Sequence, residues 1–69
     1  MDRQPVTSTN LVSVGYDSES ATLEVEFASG TVYQYFDVPE AVFQGILEAP
    51  SAGQFHAENI KGVYRYARV

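Results

Sequence analysis

GTVYQYFDVP, residues 30–39, decides how this chain folds. Val32 to Phe36 reads as a strand, but it is apolar on both sides except at Gln34. Composition alone cannot say which face Tyr33 and Tyr35 occupy; the preceding turn can. Ala28-Ser29-Gly30 suits a three-residue hairpin loop, a type I turn closed by a glycine in the left-handed region. Phe27 then lies opposite Thr31, Val25 opposite Tyr33, and Leu23 opposite Tyr35. Cross-strand partners share a face. Both tyrosines therefore join Leu23, Val25 and Phe27, while Val32, Gln34 and Phe36 join Glu24 and Glu26. A two-residue Ser29-Gly30 loop would shift the register by one and reverse the faces. It requires a positive φ at Ser29, which serine tolerates poorly.

Upstream, LVSVGY (11–16) and TLEVEF (22–27) alternate with period two, as half-buried strands do. DSESA between them is a turn signal. With Glu19 and Ser20 at its tip, Tyr16 pairs with Leu23 and Val14 with Val25. Val12, Val14 and Tyr16 are then expected on the core side, with Leu11, Ser13 and Gly15 opposite. Residues 1–10 are polar and contain Pro5 and a Thr-Ser-Thr-Asn run, which reads as a flexible N-terminal arm before a single domain over 11–69.

Downstream, Asp37-Val38-Pro39-Glu40 has the spacing of a capping box, with Pro39 in the first helical turn. Val38, Val42, Phe43, Ile46 and Leu47 form an apolar stripe at helical spacing, and Pro50 ends it. Ser51-Ala52-Gly53-Gln54 is a second capping box. It opens a short helix to about Lys61 that turns Ala52, Phe55, His56 and Ile60 to one broad side, with Gly62 as terminator. VYRYARV at the end alternates again, Tyr64, Tyr66 and Arg68 against Val63, Arg65, Ala67 and Val69. The fold class expected is α+β: a three-stranded antiparallel meander, two short helices packed on one sheet face, and a short C-terminal strand.

The chain has 69 residues, enough for one domain that buries only roughly 60% of its unfolded surface. Stability of a few kcal/mol is the expectation, so every large side chain matters. There is no cysteine, which removes disulfides, thiolate nucleophiles and sulfur-bound metal. No apolar run approaches the roughly 20 residues of a membrane span, and MDRQPVTSTN lacks a secretory apolar core; a cytoplasmic location is expected. The net charge of −5 argues against a broad phosphate-binding footprint. Three of the four basic residues, Lys61, Arg65 and Arg68, nevertheless fall in the last nine positions, where there is no acid.

Catalytic constellations are thin, and no enzyme activity is expected. His56 is the only histidine, so no multi-histidine metal site exists. Ser13 or Ser51 with His56 and Asp37 could be written as a triad, but neither serine sits in a nucleophile elbow. Glu24 and Glu26 lie side by side on a strand, where a solvated face is the simpler reading than an acid/base pair or a cation site. The five glycines are scattered and form no phosphate loop. Neither cofactor nor metal is expected.

The ordered set of features resembles a known family. It comprises Val14 to Asp17 (Val-x-Tyr-Asp), Leu23 to Phe27 with Gly30 three residues on, and Tyr33 with Tyr35. Val38-Pro39, Phe43, Ala49-x-Ser51-x-Gly53, Ile60 and Tyr64 complete it. Together, over roughly residues 8–66, they are similar to the KTSC domain, named for its place at the C-terminus of some lysyl-tRNA synthetases and found also as small stand-alone bacterial proteins. The resemblance implies no catalytic residue; its synthetase context suggests RNA binding.

Two functions of different class follow. One is a non-catalytic module that binds RNA through KGVYRYAR (61–68). Lys61, Arg65 and Arg68 would contact phosphate and Tyr64 or Tyr66 would stack on bases. The other is a protein-interaction or self-association module that uses Val32, Gln34 and Phe36 on the sheet face away from the helices. Partner and oligomeric state are not legible.

Overall fold

The structure is a computed structural model that describes residues 1–69. Seven elements follow in order: β1 (Arg3–Pro5), β2 (Leu11–Asp17), β3 (Thr22–Phe27), β4 (Val32–Tyr35), α1 (Glu40–Glu48), α2 (Ala52–Asn59) and β5 (Tyr66–Arg68). The strands make one antiparallel sheet in the order β1-β2-β3-β4-β5. The protein is thus α+β, with five strands in one sheet and two helices.

The β3–β4 turn has the three-residue geometry. Gly30 has φ +94°, its N–H donates to the Phe27 carbonyl at 2.9 Å, and Phe27 N–H donates to Thr31 at 2.8 Å. Leu23 pairs with Tyr35 and Val25 with Tyr33. One face of the sheet therefore carries Val14, Leu23, Val25 and Tyr35 into the core, where Val38, Ile46, Ala52 and Ile60 of the helical segment meet them. Each fully buried aliphatic side chain here contributes about 1.5–3 kcal/mol. Tyr16 fixes α1 from β2: its ring stacks on Phe43 at 5.2 Å and its hydroxyl donates to the Val38 carbonyl at 2.6 Å. The two helices meet where Phe55 lies over Gly45, and a Cβ at Gly45 would stand 2.6 Å from that ring.

Three sequence expectations are corrected. Residues 3–5 are not a free arm: they form an edge strand on β2, with Arg3 opposite Gly15. Pro5 is accommodated because an edge position need not donate to the ladder. Val12 does not face the core. A bulge between Leu11 and Ser13 buries Leu11 and turns Val12 out, 44% exposed.

Asp37 does not cap α1. Its backbone is left-handed (φ 57°), and its carboxylate points at Arg65. Val38 instead is buried in the core and its N–H donates to the Ala21 carbonyl at 2.9 Å, and Pro39 after it is extended (φ −63°, ψ 147°), so the helix starts only after Pro39. Burial of Val38 outweighs the capping motif. The expected short C-terminal strand is present over Tyr66–Arg68, while Val63 and Tyr64 remain in the turn that follows α2.

At α2 the sequence signals hold at both ends. Ser51 Oγ accepts from Gln54 N–H at 3.2 Å, and Gly62 adopts φ +79°. The Gln54 side chain reaches forward to Glu58 rather than back to Ser51.

The bulge can be tested by comparing two valines two residues apart. Val14→Ala should cost about 2 kcal/mol or more in denaturant unfolding, and Val12→Ala within about 0.5 kcal/mol. Equal costs would mean an unbroken alternation and no bulge.

Candidate functional site

The two faces of the sheet differ sharply. On the face away from the helices, polar side chains are tied to one another. Arg3 lies 3.6 Å from Glu24 and 3.9 Å from Glu26, Gln34 donates to Glu24 at 2.9 Å, and Ser13 donates to Glu26 at 2.9 Å. The Glu24/Glu26 pair is thus covered by a cation, an amide and a hydroxyl. Of the three residues expected to meet a protein partner there, Gln34 is bonded, and Val32 and Phe36 are half-buried.

The basic segment is split between the faces. Strand alternation puts Arg65 beside Phe36, with its guanidinium 5.7 Å from that ring and 3.0 Å from Asp37 Oδ2. Tyr64 and Arg65 line a shallow hollow there with Phe36, Gly62, Val63 and Tyr66. Arg68 pairs with Tyr33, and Tyr66 with Tyr35, so these two belong to the helical side. Lys61, just beyond α2, joins them from the helix end. Of the five residues expected at a nucleic-acid surface, Lys61 and Tyr66 line one cleft, Arg68 is opposite Tyr33 in register without lining it, and Tyr64 and Arg65 line a second hollow that Tyr66 also borders.

Between α2 and the β4–β5 edge lies a cleft of 340 Å³. Its walls are aromatic: Phe27, Tyr33, Tyr35, Tyr66 and the His56 ring. Tyr33 meets Phe27 and Tyr66 edge-on at 5.6 and 5.4 Å, and His56 meets Phe27 and Tyr35 at 5.3 and 5.5 Å. Asn10, Gly53, Ala57, Lys61 and Gly62 complete the lining. No aspartate or glutamate is among the lining residues, although the chain carries nine acids. Tyr66, 61% exposed, forms the outer lip and presents an aromatic ring to solvent.

At the bottom, Tyr35 Oη and His56 Nε2 are 2.7 Å apart, and both residues are 5% exposed. Burial, with the Lys61 charge added, holds the His56 pKa below its ordinary value. Burial raises that of Tyr35, and its neighbours Tyr33 and Tyr66 add to the effect. Both groups are therefore neutral at pH 7.

Reading the tyrosines as core hid this site, because Tyr33 and Tyr35 are both core and wall. The usable signal was the placement of His56 with Ala52 and Ile60 on one side of α2. That spacing sends the lone imidazole under the sheet beside the Tyr-x-Tyr strand. No three His, Asp or Glu side chains converge as a metal site would need, and no helix is long and apolar enough to cross a membrane.

The His56 environment has a stability consequence. A histidine held neutral by folding binds fewer protons folded than unfolded, so stability is full above the ordinary value near 6.5 and falls as pH drops below it. It levels off below the depressed folded-state value. The thermal midpoint should therefore decline from about pH 6.5 downward, before the carboxylates titrate, and a His56→Gln variant should lack that component. A flat wild-type profile between pH 7 and 5 would contradict the buried neutral ring.

Comparison with known proteins agrees with the architecture. Residues 7–69 match the sequence profile of the KTSC domain. The chain is 46% identical to an uncharacterized protein of Stutzerimonas stutzeri over 70 residues, covering 100% of this chain and 99% of that one. It is 44% identical to a lysine–tRNA ligase of Trichormus variabilis over 54 residues, which is 78% of this chain but only 10% of the ligase. A crystal structure of a KTSC domain protein from Yersinia pestis superposes with a TM-score of 0.95 at 38% identity, covering 99% of this chain and 96% of that one. In sequence over residues 7–69 and in fold over nearly its whole length, the chain belongs to the KTSC domain family.

Proposed function

We propose that this protein is a non-catalytic binding module that takes single-stranded RNA in the aromatic cleft between α2 and the β4–β5 edge. The observation that carries the reading is the grouping of Tyr66, Tyr33, Tyr35 and His56 with Lys61 in a cleft that an acidic chain keeps free of carboxylates. Bases stack on aromatic rings and phosphates pair with flanking cations, which is how sequence-tolerant single-strand sites are built. Lys61 at one end and Arg68 opposite Tyr33 are the cations on this face. The related segment in a protein named lysine–tRNA ligase supports RNA as the partner.

Acid/base chemistry has little to work with here. The buried phenol of Tyr35 resists ionisation, and His56 has no carboxylate to orient it within the cleft. A protein partner on the opposite face has weaker support, because Gln34, Glu24 and Glu26 already satisfy one another and Arg3.

Titration of a fluorescent single-stranded RNA at several salt concentrations tests the reading. With Lys61 and Arg68 as the phosphate contacts, the slope of log K against log salt should be about −1.4. Tyr66→Ala should weaken binding about tenfold, consistent with roughly 1–3 kcal/mol per stacked base. Arg65→Ala, on the other side of Tyr66, should leave it unchanged. Absence of saturable, salt-sensitive binding, or a large loss from Arg65→Ala with none from Tyr66→Ala, would overturn the assignment.

A further inference from the structure

We propose that the cleft holds one unpaired base and selects those carrying an amino group, with the Tyr35 hydroxyl oxygen as the acceptor that reads it. The inference rests on the RNA reading above and adds to it a chemical identity for the base.

The geometry starts at the 2.7 Å contact between Tyr35 Oη and His56 Nε2. Which atom carries the proton follows from relative acidity. A phenol is a stronger acid than a neutral imidazole N–H, and an imidazole nitrogen is a far stronger base than a phenol oxygen. The pairing that uses both preferences is Oη–H donating to Nε2, with the imidazole proton on Nδ1. Titratable or charged groups around the ring are Lys61 beyond the C-terminal end of α2, Tyr33 and Tyr35 on β4, and Tyr66 on β5. None of them is an anion that would draw a second proton onto His56, so Nε2 remains an acceptor at neutral pH.

The consequence is that Tyr35 has one proton and has committed it. Its remaining lone pairs can only accept. Tyr35 lines the cleft, so the floor presents an acceptor to whatever enters. The rim is complementary in kind. Asn10 Oδ1 already accepts from Ser8 Oγ at 2.8 Å, which leaves its amide N–H₂ to donate, and the Lys61 ammonium donates as well. Donors at the mouth suit phosphate and ring acceptors, while the acceptor at the floor suits an exocyclic amino group. At 340 Å³ the cleft is at the small end of ligand sites, suited to one nucleoside rather than a helix. Adenine and cytosine carry an amino group at one corner of the edge that an unpaired base exposes; hypoxanthine and uracil carry a carbonyl oxygen at that corner, with a ring N–H beside it that meets the same acceptor only if the base shifts in the cleft. A carbonyl facing the Tyr35 oxygen would leave two acceptors opposed without a proton between them.

The test compares hexaribonucleotides in two matched pairs, oligo(A) with oligo(I) and oligo(C) with oligo(U), at pH 7.5 and low salt. Each pair keeps the ring size and changes the amino group to oxygen. The expected result is that A and C bind about tenfold more tightly than I and U. Tyr35→Phe should bring the members of each pair within about twofold, and Tyr64→Phe, outside the cleft, should leave the preference intact. The ¹⁵N shifts of His56 should show the Nδ1–H tautomer in the free protein. Equal binding of all four hexamers to the wild type leaves the RNA reading standing and overturns this inference, as does an Nε2–H tautomer. No binding of any hexamer overturns both. The wild-type comparison decides the matter even if Tyr35→Phe is too unstable to use.

Discussion

The three-residue turn at Ala28-Ser29-Gly30 is the constraint on which the rest of the molecule depends. Because Gly30 sits at φ +94°, Tyr33 and Tyr35 face Val25 and Leu23 across the hairpin. That single register decides which side of the sheet the helices must cover. It also decides what remains at the edge of the core: two tyrosines whose rings are held by apolar neighbours and whose hydroxyls need partners. Tyr35 finds its partner in His56, and α2 is thereby tied to the central hairpin through a polar contact as well as through apolar burial. A register one residue away would have put the tyrosines on the face of Glu24 and Glu26 and set Val32, Gln34 and Phe36 beside Leu23 and Val25. A domain of this size has too little core to survive that exchange.

The same register explains how an acidic protein can offer a cleft without carboxylates. The alternation of β3 sends Glu24 and Glu26 to the far face, where Arg3 of β1, Ser13 of β2 and Gln34 of β4 answer them. The aromatic side is left with Lys61 and Arg68 as its cations. Charge segregation between faces, rather than net charge, sets what this surface can attract.

Much of this was legible in the sequence because it is local. The register followed from one turn, α1 from a stripe at helical spacing, and the ends of α2 from Ser51 and Gly62. What was missed is not local. Arg3–Pro5 has no apolar periodicity because its strand lies at the sheet edge, with Arg3 held over a charged pair whose position depends on β3. The bulge at Val12 leaves no mark in LVSVGY, whose pattern fits either Leu11 or Val12 facing inward. Asp37 carries a capping signature that lost to the burial of Val38. The separation of Arg65 from Arg68 was present in the alternation of VYRYARV, yet a run of basic residues read along the chain hides it. His56 could be placed on the inner side of α2, but only the packed structure shows that it meets Tyr35.

RNA is proposed to bind in the aromatic cleft. Amide and side-chain NMR spectra of the labelled protein, recorded during addition of a single-stranded oligoribonucleotide, test this most directly. Shifts concentrated at Asn10, Tyr33, His56, Lys61 and Tyr66 are the predicted result. Shifts centred instead on Val32, Gln34 and Phe36, with the cleft residues unmoved, would contradict it.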